Sequence, residues 1–182
     1  SKPESFRNKK QVIYASPLVD VAANMELVRE TVEICKVILR ETSWDIRLLS
    51  KSNLLPKVAQ GIDAIGFGPL AGQRIIYGVS TGTLDDKLAQ AFEQGCPLVS
   101  KRIESLHWLQ DNGFRTFGMI CPSLPMTPDD YIPWSAEITN AIRADRCEHV
   151  WAEVINVRGE SFTRTCKALL DAGYGDAAAK LT

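Results

Sequence analysis

Residues able to do chemistry recur at one kind of place in this sequence, just after short apolar runs. Gln11–Ala15 is followed by Ser16-Pro17-Leu18-Val19-Asp20, and Asp45–Leu49 by Ser50-Lys51-Ser52-Asn53. Arg74–Val79 leads into Ser80-Thr81-Gly82-Thr83, and Arg115–Ile120 into Cys121-Pro122-Ser123. The last run, His149–Val157, carries Glu153 and Asn156 and gives way to Arg158-Gly159-Glu160. An ammonium, a guanidinium, hydroxyls and a carboxylate delivered to one rim make a site for a small polar molecule. Lys51 is the sharpest position, because an ammonium at the mouth of an apolar strand suits a carboxylate or a phosphate. Ser80–Thr83 adds hydroxyls and backbone N–H groups ahead of a helix, a candidate anion cradle. N-capping by Thr83 is the plainer use of the same residues. Glu153 and Asn156 are three apart, so on a regular strand they face opposite sides.

Other chemistries are excluded. The cysteines are Cys35, Cys96, Cys121, Cys147 and Cys166, with no CxxC pair, and the histidines are His107 and His149. That spacing supports neither a zinc site nor a disulfide framework and reads as reduced thiols in a cytoplasmic protein. Cys121 reads as a quiet loop thiol, and His107, among Leu106, Trp108 and Leu109, as structural or surface. No nucleophile elbow, P-loop or H-E-x-x-H is present, and no G-x-G-x-x-G follows a strand. The four tryptophans form no stacking ladder.

The elements that position these residues alternate. Helical periodicity follows each strand, at 24–41, 54–61, 84–94, 98–112, 133–145 and 162–172. Residues 62–73 read as a Gly-rich loop, and 176–182 as a frayed tail. Strands recur at about 29 to 41 residues, the size of a βα unit. Continuous alternation predicts an α/β fold with a parallel sheet and right-handed crossovers. An open doubly wound sheet and part of a (β/α) barrel both satisfy it, and both place function at the carboxyl ends of the strands.

The 182 residues, 45% hydrophobic with a formal net charge of −1, predict one folded domain over 11–175 rather than a disordered chain. The charge balance argues against nucleic-acid binding driven by charge alone. No apolar run approaches a membrane span. Residues 1–10 form a polar, basic arm without the apolar stretch of a signal peptide. The first residue is Ser, so a processed or excised chain is expected.

The stretch Tyr77–Pro125 resembles the later barrel half of the radical S-adenosylmethionine (SAM) enzymes related to spore photoproduct lyase and the DNA repair photolyase-like proteins. The matching features are Ser80, Thr83-Leu84-Asp85-Asp86, Phe92-Glu93-Gln94-Gly95-Cys96-Pro97, Arg102, Asn112-Gly113 and Cys121-Pro122. Ala15-Ser16 with Asp20, and Leu49-Ser50-Lys51-Ser52, resemble two upstream strand ends of that group. Glu153–Gly159 resembles a final strand of its phage-borne relatives. The resemblance implies a partial (β/α) barrel of five to six strands that binds SAM at the strand ends. Lys51 and Ser80 would contact the amino-acid portion, and Ser16 would lie near the substrate. The full implied set is Lys51, Ser80, Ser16, Asp20, Glu153, Asn156 and Arg158.

One departure is chemically decisive. The family holds a [4Fe–4S] cluster on a CxxxCxxC loop after its first strand, and this sequence has no such motif. The expectation is a barrel lacking its first strand and cluster loop, with radical chemistry absent from this chain alone. A cluster is expected only if a missing N-terminal segment supplies the cysteines. That segment, or a second copy, is the expected partner at the open sheet edge. A nucleic-acid partner is implied by the resemblance alone. The alternatives are a cluster-less SAM- or nucleotide-binding protein, an interaction protein of the same fold, and an unrelated α/β protein sharing only the barrel rhythm.

Overall fold

The computed structural model describes residue 4 and residues 8–15, 19–67, 72–123, 128–155 and 159–181. The strands are β1 (Val12–Ala15), β2 (Asp45–Ser50), β3 (Ile75–Ser80), β4 (Thr116–Ser123) and β5 (Val150–Val154). The helices are α1 (Met25–Glu41), α2 (Leu55–Ala64), α3 (Asp86–Phe92), α4 (Val99–Asp111), α5 (Pro128–Ala141), α6 (Ser161–Asp171) and α7 (Gly175–Ala179).

Among the described residues the strands form one parallel sheet in the order β1-β2-β3-β4-β5. This order decides between the two architectures. A doubly wound sheet reverses direction at a switch point and takes helices on both faces. Unbroken sequential order with right-handed crossovers puts every crossover on the same face and curls the sheet. The result is a half-barrel, as a partial (β/α) barrel requires.

The pleat shows which face is which. Along β2, Ile46, Leu48 and Ser50 are buried while Asp45, Arg47 and Leu49 are half-buried. Ile46 and Leu48 join Ile75, Tyr77, Val79 and Ile120 in a core with Val28, Val32, Cys35 and Leu39 of α1. Val58 and Ile62 of α2, Leu106 and Leu109 of α4, and Ile138 of α5 complete it. The opposite, concave face carries Tyr14, Arg47, Ile76, Gly78, Ser80, Phe117, Met119, Trp151 and Glu153, following the strand register.

Several boundaries differ from the sequence reading, each for a local reason. The helix expected to stop at Gly61 runs on to Ala64, because Ile62 continues the buried face of Leu55, Val58 and Ala59. Gly61 allows close packing there: a Cβ on it would lie 2.7 Å from Val32 Cγ2 of α1. The helix expected from Pro133 starts at Pro128, with Pro133 inside it. A proline at the first helical position is already set in helical φ. The tail expected to fray instead forms α7. Ala178 and Leu181 are buried there with Leu169 and Ile155, in a second small core. Three residues apart, they present one apolar face to α6.

Candidate functional site

The carboxyl rim is built outward from Asp20. Its Oδ1 accepts from the Ser50 hydroxyl at 2.6 Å and the Ala22 N–H at 2.9 Å, and its Oδ2 from the Lys51 N–H at 2.7 Å. The Ser50 hydroxyl in turn accepts from the Ser52 N–H at 2.9 Å. Asp20 therefore fastens the strand end that carries Lys51, and its carboxylate faces protein donors. It had been expected among the ligand contacts.

Lys51 continues the concave series of Arg47 and Leu49. Its ammonium pairs with Glu93 Oε1, and its side chain is 29% exposed. Glu93 is the C-cap residue of α3. Its second oxygen, Oε2, accepts from Arg102 Nη1 at 2.6 Å. Arg102 is wholly buried, and also donates to the Pro97 carbonyl from Nε at 2.9 Å and to the Ser80 carbonyl from Nη1 at 3.3 Å. A lysine, a carboxylate and an arginine thus run inward from the rim, joining β2, β3, α3 and α4.

Ser80 is buried, and its hydroxyl donates to the Cys121 carbonyl at 3.0 Å, tying β3 to β4. The neighbouring hydroxyls are also engaged. Thr81 Oγ1 donates to the Thr83 carbonyl at 2.6 Å, and Thr83 Oγ1 accepts from the Asp85 N–H at 3.1 Å. The capping residue of α3 is Asp85, not Thr83. The expected cradle is therefore closed on itself. Gly82 is essential to that closure, since a Cβ there would overlap the Pro122 carbonyl oxygen.

Cys121 and Glu153 complete the rim. Burial pushes the Cys121 thiol up; Lys51 pulls it down, and Glu153 and Glu93 push it up further. Glu153 lies on exposed β5, and its charge also reaches Tyr14 of β1. Lys51, Ser80 and Glu153 thus share the concave rim, while Asp20 supports it from behind. Ser16, Asn156 and Arg158 lie outside the described residues.

Below the rim, the concave floor is aromatic. The Arg47 guanidinium sits 4.8 Å from the Trp151 ring centroid and 5.4 Å from that of Phe117. It donates to the His149 ring, which stacks on Phe117 at 5.1 Å. Tyr14 meets Trp151 at 6.4 Å. Burial, then the Arg47 charge, lower the His149 pKa below its ordinary 6.5, so the ring is neutral at pH 7 and can accept this bond. Phe117 is buried, while Trp151 is 43% exposed toward the concave side. Reading the tryptophans against each other missed this cluster. The alternation His149-x-Trp151-x-Glu153 along β5 was its signal.

His107 is structural: its Nε2 bonds the Ala141 carbonyl at 2.7 Å, linking α4 to α5. The cysteines are free thiols on separate elements, in α1, before α4, in β4, before β5 and in α6. Among the described residues no three Cys, His, Asp or Glu side chains gather where a metal ion could sit. These thiols do not fit a [4Fe–4S] cluster, which needs closely grouped thiolates. The rim offers one ammonium, Lys51, and one exposed carboxylate, Glu153, a pair whose charges suit a ligand carrying both signs. Among the described residues no helix is long and apolar enough to cross a membrane. No protein-family model, curated protein or solved structure matches the chain.

Proposed function

We propose that this half-barrel binds SAM at the carboxyl rim of its strands, as the ligand-binding portion of a radical SAM enzyme of the photoproduct lyase-like group. The observation that carries this reading is Lys51. Its backbone is fastened by Asp20, while its partly exposed side chain lies at the concave rim with its ammonium on Glu93. A ligand carboxylate placed there gains a charge-assisted hydrogen bond. Glu153, exposed on the same rim, suits the ligand's positive groups. In the family a [4Fe–4S] cluster supplies the electron that cleaves SAM. The cysteines of this chain lie on separate elements and do not fit that cluster.

The cysteine placement favours a second reading for the chain on its own, a cluster-less module that binds SAM or a nucleotide at the same rim. In the first reading the cluster is held by a separate segment, and the edge of β1, which pairs with no second strand among the described residues, is the place for that segment to add a strand. A nucleic-acid substrate rests on the resemblance.

Titration calorimetry with SAM, S-adenosylhomocysteine and ATP tests the site. SAM is expected to bind. Lys51→Ala should weaken binding at least about tenfold, the worth of one charge-assisted hydrogen bond. Absence of SAM binding to the wild type, or binding indifferent to Lys51→Ala, would overturn the reading. ATP binding in place of SAM would select the nucleotide module.

A further inference from the structure

The Glu93 carboxylate is shared. Oε1 meets the Lys51 ammonium, and Oε2 meets Arg102 Nη1 at 2.6 Å. The Glu93 side chain is 7% exposed and that of Arg102 0%. Arg102 Nε and Nη1 are both occupied, yet Nη2 has no hydrogen-bond partner among the described residues. A buried guanidinium nitrogen left unpaired is costly. A guanidinium and a carboxylate have a better arrangement available, the two-bond fork in which Nη1 and Nη2 each hold one oxygen. In the observed arrangement Oε1 is turned to Lys51 and not to Nη2.

These contacts define two arrangements of the same three side chains. In the observed one, Glu93 bridges Lys51 and Arg102, and Nη2 is orphaned. In the other, the carboxylate turns fully onto Arg102, Nη2 is satisfied, and the Lys51 ammonium is released. Lys51 is the only one of the three with substantial exposure, at 29%, so it is the member free to turn toward the rim.

We propose that Glu93 is an internal counter-ion that Lys51 exchanges for the carboxylate of the ligand, and that Arg102 captures the released Glu93 oxygen through Nη2. The exchange rests on the SAM reading for the identity of the ligand. It makes Glu93 and Arg102 positioning residues, acting through Lys51. It also explains why an ammonium meant for a ligand is already paired: Glu93 competes with weak anions, and only a ligand that makes further contacts displaces it.

Side-chain NMR of the arginine Nη–Hη groups in the full chain tests the exchange, with Arg102 assigned through Arg102→Lys. Lys51→Met removes the ammonium and keeps most of the aliphatic stem; Lys51→Ala is the second variant, and amide spectra verify folding of each. With no ligand present, both variants should move the Arg102 Nη2 protons downfield, as a new carboxylate bond forms. SAM added to the wild type should move them the same way. An unmoved Nη2 signal in a folded Lys51 variant would overturn the exchange. SAM that binds by calorimetry and leaves Nη2 unmoved would overturn it as well. A downfield shift in the variants with no SAM binding to the wild type would support the Glu93 exchange and reject SAM as the ligand.

Discussion

Asp20 Oδ2 holds the Lys51 backbone N–H at 2.7 Å, so a residue before α1 sets the position of the ammonium that leaves β2. The same carboxylate holds the Ser50 hydroxyl and the Ala22 N–H. Asp20→Ala removes all three acceptor contacts and leaves a buried hydroxyl to find another partner. It should cost about 2 to 4 kcal/mol in urea unfolding. SAM affinity should also fall, because the Lys51 backbone loses its anchor. A loss below about 0.5 kcal/mol would show that this fastening contributes little.

Gly78 and Phe117 are register partners on β3 and β4, and the Phe117 ring lies across the glycine. A Cβ at residue 78 would overlap the ring, which is fully buried and has no room to retreat. Gly78→Ala should therefore destabilise by about 1 to 3 kcal/mol, as overpacking does. The displaced ring should also perturb its stacking partner His149. Phe117→Leu in the Gly78→Ala background should restore part of the loss, giving a coupling energy well away from additivity in a double-mutant cycle. Strict additivity would mean that the ring does not rest on Gly78.

The parts legible in the sequence were those encoded by local period. Strand–helix alternation predicts the parallel sheet, and the apolar run 45–49 places Lys51 at a strand end on its rim. The parts that escaped depend on contacts between distant segments. Asp20 read as a ligand contact because nothing local shows it folding back onto residues 50 and 51. Glu93 and Arg102 are visible in the sequence only as features of the resemblance, because nothing local shows that their side chains pair with each other and with Lys51. A signal for Arg102 was present: it falls on the stripe of Val99, Leu106 and Leu109, where a charge must find a buried partner. The hydroxyls of Ser80 and Thr81 illustrate the converse. Their types suit an anion, yet the close approach of Gly82 to Pro122 lets the backbone consume them first.

His149 makes stability depend on pH. Its pKa is lowered in the fold by burial and then by Arg47, while the unfolded chain regains the ordinary 6.5. As pH falls through 6.5, the unfolded state takes up the proton first, so stability declines until the folded pKa is also passed. Above that window the ring is neutral in both states and contributes no pH dependence. Glu148, whose carboxyl Arg115 holds down, also loses stability in acid, but only below its ordinary 4.5. Urea midpoints measured between about pH 5 and pH 8 should therefore fall on the acid side in the wild type. In His149→Gln the part of that fall lying above the carboxylate range should vanish. An unchanged profile would place the titration elsewhere.

Cys121 reports on the rim charges directly. Burial raises its thiol pKa, the Lys51 charge opposes the rise, and Glu153 and Glu93 add to it. The thiolate is the reacting form, so alkylation by iodoacetamide near pH 7 should be slow at Cys121. Lys51→Met removes the one opposing charge and should slow it further. Glu153→Gln removes a like charge and should speed it. The two variants should shift the pH–rate curve of this single thiol in opposite directions, followed by mass spectrometry of the Cys121 peptide. Cys35, buried within α1 and pushed up to about 12, provides the internal reference, because neither rim charge reaches it. Equal shifts at both thiols would indicate general loosening of the fold. Opposite shifts confined to Cys121 would place Lys51 and Glu153 around one common volume, the condition that any ligand at this rim must meet.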